Sequence, residues 1–210
     1  MSRSGGLART IGFTMASLLL LSGCSALGPV EARERSSSER NTVVKLPFVE
    51  AVSTLDLLRQ TTTPPNRLAV PELGIDMRVE AHGLEDNGDM SLPVSPFVAG
   101  WYEYGSAPDS RMGSTVIAAH VDSVAEGAGP FRSLRNASEG MSITLIDEAG
   151  ITHDYRVSAV ERISKGEVPL DRVFSASGDP HLVLVTCGGE YDWAVGRYKD
   201  NYIVTAERVS

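Results

Sequence analysis

The 210-residue chain has only two cysteines, and they stand in unlike settings. Cys24 follows a short apolar stretch near the N-terminus, and Cys187 ends the run from His181 to Cys187. If Cys24 belongs to an export signal, Cys187 has no disulfide partner. The chain also lacks an apolar run of the ~20 residues that a membrane-spanning helix requires. Residues 11–21 supply about half of that length, so a cleaved signal fits better than a stable span. Positive charge is scarce, with 19 Lys and Arg against 27 Asp and Glu, a formal charge of −8. Such a chain is not expected to hold nucleic acid or anionic lipid by bulk electrostatics. No internal repeat is visible, which argues against a solenoid or propeller.

The N-terminal segment carries Arg3 and Arg9, then the apolar stretch, then Leu21, Ser22, Gly23 and Cys24. This tetrad resembles a bacterial lipobox, in which the cysteine thiol receives a diacylglycerol. The expected division is a signal peptide over 1–23, a lipidated Cys24 with a tether over 24–65, and a folded domain over 66–210. Cleavage would remove Arg3 and Arg9 and no acidic residue, leaving 17 basic against 27 acidic and a charge of −10. Two acyl chains suffice for stable anchoring. Residues 25–41 have few large apolar side chains and read as a disordered tether. Residues 49–59 could form a short docking helix, which Pro64 and Pro65 would end.

The remainder reads as mainly β. Alternation and β-branched residues predict strands over 67–70, 77–83, 115–121, 142–147, 153–163, 182–187 and 202–209. Breakers such as 86–89, 127–130, 148–150 and 177–180 separate them. Short helical pieces are expected over 131–136 and 170–174. Seven or eight short strands in about 145 residues suggest one barrel or sandwich.

A free thiol at a strand end raises nucleophilic chemistry, which needs a base or cation beside the sulfur. Of four histidines, His120 stands out because it ends the apolar run 115–119 and opens a glycine-rich loop, as Cys187 ends its own run before Gly188 and Gly189. Neighbouring strands would bring the two together at one rim. A metal-dependent hydrolase built on His120, Asp122 and either His153 or His181 is the competing chemistry. Asp122 is more simply a loop carboxylate, and the spacing of Glu80, Glu85, Asp86 and Asp89 matches no calcium loop, so neither a metal nor a cofactor is expected. Trp101 and Tyr102 could line a peptide groove or fill the core.

Several blocks together are similar to the sortase family, most of all to actinobacterial class F sortases. They are residues 68–76, 100–105, 118–123, 129–131, 184–189 and the closing strand 201–206, in family order over nearly the whole domain. The resemblance implies a single eight-stranded β-barrel with a few short helices. It implies a transpeptidase that cleaves LPXTG-type sorting signals of surface proteins between Thr and Gly. Cys187 would form the thioester, His120 would move the protons, and a cell-wall amine would accept the acyl group. The family also uses an arginine on the last strand. Here Asn201 stands just before the final apolar run and Arg197 lies four residues earlier. Arg197 is given a slight edge because a charged donor stabilises an oxyanion more, with Asn201 as the alternative. Family members usually keep an N-terminal span, whereas this chain looks lipidated at Cys24. The expected location is the outer face of the cytoplasmic membrane of a Gram-positive, actinobacterial cell. A non-catalytic lipoprotein that binds wall peptides on the same scaffold is the alternative.

Overall fold

In a computed structural model, residues 62–209 are described. The signal, Cys24 and the docking helix expected over 49–59 lie outside them. Ten strands follow in order: β1 Pro65–Val70, β2 Ile75–His82, β3 Val98–Tyr102, β4 Ser114–Ala119, β5 Asp122–Ser123, β6 Gly127–Ala128, β7 Ser142–Asp147, β8 Thr152–Ser164, β9 His181–Asp192 and β10 Arg197–Arg208. Eight of them close into a barrel in the order β1-β2-β3-β4-β9-β10-β8-β7, while β5 and β6 form a small separate ribbon. Closure removes the exposed strand edges that an open sheet would present. The expected eight-stranded, mainly β barrel is therefore the observed architecture.

Alternation sets the barrel interior. Leu68 and Val70 of β1, Met77 and Val79 of β2, Ile143 and Leu145 of β7, and Leu182 and Leu184 of β9 face one core. Phe131 and Leu134 plug it from the 3-10 segment Pro130–Asn136. That segment and the helical turn Leu170–Val173 fall where short helical pieces were expected.

The apolar run of β4 has a different cause. All six of its residues are buried because both faces of this part of the barrel are covered. Ile117 and Ala119 point inward. Val116 joins Val183, Ile203 and Val173 in a second cluster outside the barrel, with Tyr102, Phe174, Val168 and Val185 packed against it. Strands covered on both faces read as continuous apolar runs, which is why 115–119 and 182–185 do not alternate.

One barrel strand, β3, was not expected. Its Val98–Tyr102 sequence contains Gly100 and carries no alternation, and glycine in a strand usually argues against one. Here it allows a close approach: a Cβ on Gly100 would lie 3.1 Å from Pro93 Cδ. Trp101 is buried in the barrel core, and its Nε1–H donates to the Ser106 carbonyl at 2.9 Å.

Candidate active site

Parallel pairing of β4 with β9 brings the two expected residues together. Ala118 pairs with Val185 and Ala119 with Thr186. Advancing one residue along each strand reaches His120 and Cys187, on backbones spaced about 5 Å apart. The inward-facing Thr186 fixes this rim by donating its hydroxyl to the Ala119 carbonyl at 2.8 Å. Cys187 is a half-buried free thiol.

On the other side of Cys187, β10 runs antiparallel and Asn201 is its direct partner. Arg197 instead pairs with Asp192, five residues beyond Cys187 on β9. At about 3.3 Å per residue this is about 16 Å along the strand. Arg197 is exposed and lines a hollow that it shares with Lys165 and Lys199.

Sequence reasoning missed Lys165. It begins the 3-10 turn after β8, and its Nζ donates to Cys187 Sγ at 3.3 Å. Nothing local marks it: Ser164-Lys165-Gly166 reads as an ordinary exposed loop. Only the β9-β10-β8 order brings this end of β8 near the thiol.

A groove of about 340 Å³ leads to this point along the outer face of the barrel. Val116, Ala118 and Val185 line its floor, and Met90, Val168 and the touching rings of Tyr102 and Phe174 surround them. Asn201 marks the end nearest Cys187. The lining is mostly apolar, and such a cleft suits an extended segment with apolar side chains. Tyr102 is therefore groove-lining where its neighbour Trp101 is core. A larger and more polar hollow lies by His181 and Arg172 at the opposite end of β9, away from the thiol.

The remaining polar candidates are engaged elsewhere. His181 Nε2 pairs with Ser114 Oγ at 2.9 Å, and its Nδ1 with the Asp179 carbonyl at 2.8 Å. His153 is buried between Asp147 and Arg208. Arginine only donates, so His153 Nδ1 accepts from Arg208 and Nε2–H donates to Asp147. Asp122 accepts a hydrogen bond from the Tyr198 hydroxyl. That bond, helped by burial, pushes the Tyr198 phenol up to about 12. The metal constellation considered from sequence is thus not assembled: β8 and the start of β9 carry His153 and His181 away from His120.

Gly188 and Gly189 have steric reasons. A Cβ on Gly188 would overlap the Tyr202 ring, and one on Gly189 would overlap the Asp200 carboxylate. Gly189 also has φ +77, beside the irregularity in β9–β10 pairing between Tyr198 and Asp200. The pair lets β10 lie close behind the nucleophile.

Comparison with known proteins gives the family and the fold. The sortase-domain family model matches residues 68–209. Solved structures similar to this chain include sortase C-1 of Actinomyces oris, with 17% identity, TM-score 0.53, and 69% of this chain and 73% of that one covered. Sortase C1 of Streptococcus suis gives 17%, 0.52, 71% and 75%. Sortase C1 of Streptococcus agalactiae gives 18%, 0.53, 77% and 74%. At these identities the structures speak for the fold alone. No curated protein matches the sequence. The family match spans most of the chain and nearly all of the barrel, and the chain belongs to the sortase family of cysteine transpeptidases.

Proposed function

We propose that this sortase cleaves an LPXTG-like sorting signal between Thr and Gly and transfers the acyl group to a cell-wall amine. The observation that carries the reading is what lies where the apolar groove ends: Cys187 on β9, Lys165 at 3.3 Å from its sulfur, and His120 directly after β4, whose last residue pairs with Thr186. An extended signal lying along the groove would present its threonine carbonyl to Cys187.

The Cys187 thiolate attacks that carbon. The C–N bond to glycine breaks, the leaving nitrogen takes a proton from His120, and a thioester remains. An incoming amine then attacks the thioester carbon. The C–S bond breaks, an amide forms, and the proton released by the amine goes to His120 while Cys187 leaves as thiolate. Lys165 offsets the negative charge on sulfur at both ends of the cycle. Asn201 lies opposite Cys187 and offers an amide donor to the carbonyl oxygen as charge develops there. Arg197 acts from farther along β9–β10, orienting the substrate segment beyond the scissile bond.

The same reading places the enzyme outside the cytoplasmic membrane, held by acyl chains on Cys24 and a tether, in a class F context. The lipobox-like tetrad ending at Cys24 and the blocks quoted from the sequence support this part.

Intact-mass spectrometry of the full chain with an LPXTG peptide tests the reading. The expected result is an acyl adduct on Cys187 that a glycine-type amine chases into ligated peptide. Cys187→Ala should give no adduct. Peptide binding with no adduct on the folded wild-type protein would instead favour a non-catalytic wall-peptide binder.

A further inference from the structure

The β4–β9 ladder ends at the pair Ala119 and Thr186. His120 lies one residue past it and is half-buried. The chain then enters the β5–β6 ribbon, with Asp122 opposite Ala128 and Ser123 opposite Gly127, which stands apart from the barrel sheet. A two-stranded ribbon of this size is not stable by itself in water, so the place of His120 depends on what the ribbon is tied to. One tie is internal, from the Gly129 N–H to the Val121 carbonyl at 3.0 Å. A second runs from the Ser95 hydroxyl to the Glu126 carboxylate at 3.0 Å, on the exposed side. The third is the hydrogen bond from the Tyr198 hydroxyl to Asp122, across 76 residues of sequence. Among the described residues it is the only side-chain hydrogen bond that joins the ribbon to β9 or β10, the strands that carry Cys187 and Asn201.

The surroundings of Tyr198 hold its hydroxyl in place. Tyr198 lies on β10 three residues before Asn201, opposite Tyr191 on β9. The two rings meet edge to face with centroids 5.1 Å apart, and Tyr191 packs in turn on Trp193 at 4.7 Å. Such contacts favour one ring orientation and so one direction for the phenol oxygen. The acceptor is a carboxylate, and a hydroxyl–carboxylate bond is among the stronger kinds. With the phenol pushed up to about 12, the hydroxyl keeps its proton near neutral pH. Asp122 is two residues from His120, so the bond clamps the chain just beyond the imidazole.

We propose that Tyr198 is a positioning residue for His120, acting through Asp122 to hold the turn between β4 and β5 against β10. The inference rests on the transpeptidase reading above. His120 acts twice in that cycle, giving a proton to the leaving glycine nitrogen and taking one from the incoming amine. Both transfers need hydrogen-bond reach, and a misplacement of about 1 Å costs about 10²-fold in rate. Attack by the Cys187 thiolate moves no proton at His120. Loss of the clamp therefore slows cleavage of an amide, whose nitrogen must be protonated to leave. It spares cleavage of an activated ester, whose leaving group departs as a stable anion.

The test uses the full chain and two donors with the same acyl part, an LPXTG peptide and the matching LPXT para-nitrophenyl ester. Single-turnover formation of the Cys187 adduct is followed by intact mass. Tyr198→Phe keeps the ring and loses the hydroxyl. Its acylation by the peptide should slow by about tenfold to a hundredfold, while acylation by the ester stays within about twofold of wild type. Asp122→Ala should show the same split, and the double variant no more than the larger single effect, because the two residues act as one unit. Asp122→Asn still offers an amide oxygen to the hydroxyl and should fall between Asp122→Ala and wild type. Equal slowing with both donors, or slowing with neither, would overturn the inference and leave the transpeptidase reading intact. If thermal melting shows that Tyr198→Phe does not fold, Asp122→Ala carries the same comparison. A folded wild-type chain that forms no Cys187 adduct with the peptide would overturn the transpeptidase reading, and this inference with it.

Discussion

Lys165 Nζ lies 3.3 Å from Cys187 Sγ, although Lys165 follows β8 and Cys187 lies within β9, with β10 between those strands. A hydrogen-bond donor at this distance orients the sulfur and offsets charge on it when it leaves. Lys165→Gln should lower the rate of Cys187 alkylation by a neutral reagent at pH 7 about tenfold, the size of one charge-assisted hydrogen bond to the sulfur. Lys165→Arg should restore most of it. Alkylation kinetics followed by intact mass, with thermal melting as a folding check, measure this. Equal alkylation rates in all three proteins would remove Lys165 from the site.

Asn201 and Arg197 separate by the same logic. Asn201 is the strand partner of Cys187, whereas Arg197 pairs with Asp192. Loss of a donor aimed at a developing oxyanion lowers kcat by about 10²-fold. Asn201→Ala should therefore act on kcat, and Arg197→Ala on KM by a few-fold with kcat nearly kept. Steady-state kinetics with an LPXTG peptide distinguish them. A large kcat effect at Arg197 with none at Asn201 would reverse the assignment.

The strands that carry Cys187 and lead to His120 were legible in the sequence. Cys187 and His120 each follow a run of buried residues, and that pattern reports strands covered on both faces. Bringing the two ends together required only that β4 and β9 be neighbours, as they are. The cation was not readable. Lys165 and Cys187 are 22 residues apart, and their contact depends on strand order rather than local pattern. Strand β3 was hidden for another reason. Its Gly100 serves a close approach to Pro93 that no periodicity encodes. Where a residue's role came from its own strand the sequence carried it. Where it came from a neighbour across the barrel, the sequence did not.

Gly188 is a point where fold and chemistry meet. A methyl group there would overlap the Tyr202 ring, so the ring must shift and press on its neighbours in β10. Gly188→Ala should lower stability by about 1–3 kcal/mol through overpacking. It should also reduce kcat, because Asn201 is displaced with Tyr202. In the double variant Gly188→Ala, Tyr202→Ala the steric conflict is gone, and part of the activity should return. Thermal melting and peptide cleavage on the three proteins check this, and no recovery in the double variant would argue against a steric cause.

Asp147 supplies the pH dependence at the far side of the barrel. Its Oδ1 accepts from the Ile151 N–H at 2.8 Å and its Oδ2 from His153 Nε2–H at 2.9 Å. Burial pushes the carboxyl up, but the hydrogen bonds from His153 and Ile151 outweigh it and hold the group below its ordinary value. A depressed carboxyl stabilises the fold above its unfolded value, about 3.9, and that contribution is lost as pH falls through the folded value. Asp147→Asn presents one acceptor oxygen to two donors, so its amide nitrogen faces an N–H. The variant should lose about 2 kcal/mol at pH 6. The wild type should lose this advantage below about pH 4, so the stability gap between the two proteins should narrow there. Glu72 and Asp76 are also held low, by the Ser142 N–H and by Arg67, but both proteins share them and they cancel in the difference. Urea unfolding of both proteins at pH 6 and pH 3 measures the gap. A gap that stays constant between the two pH values would show that Asp147 stabilises by shape rather than by charge.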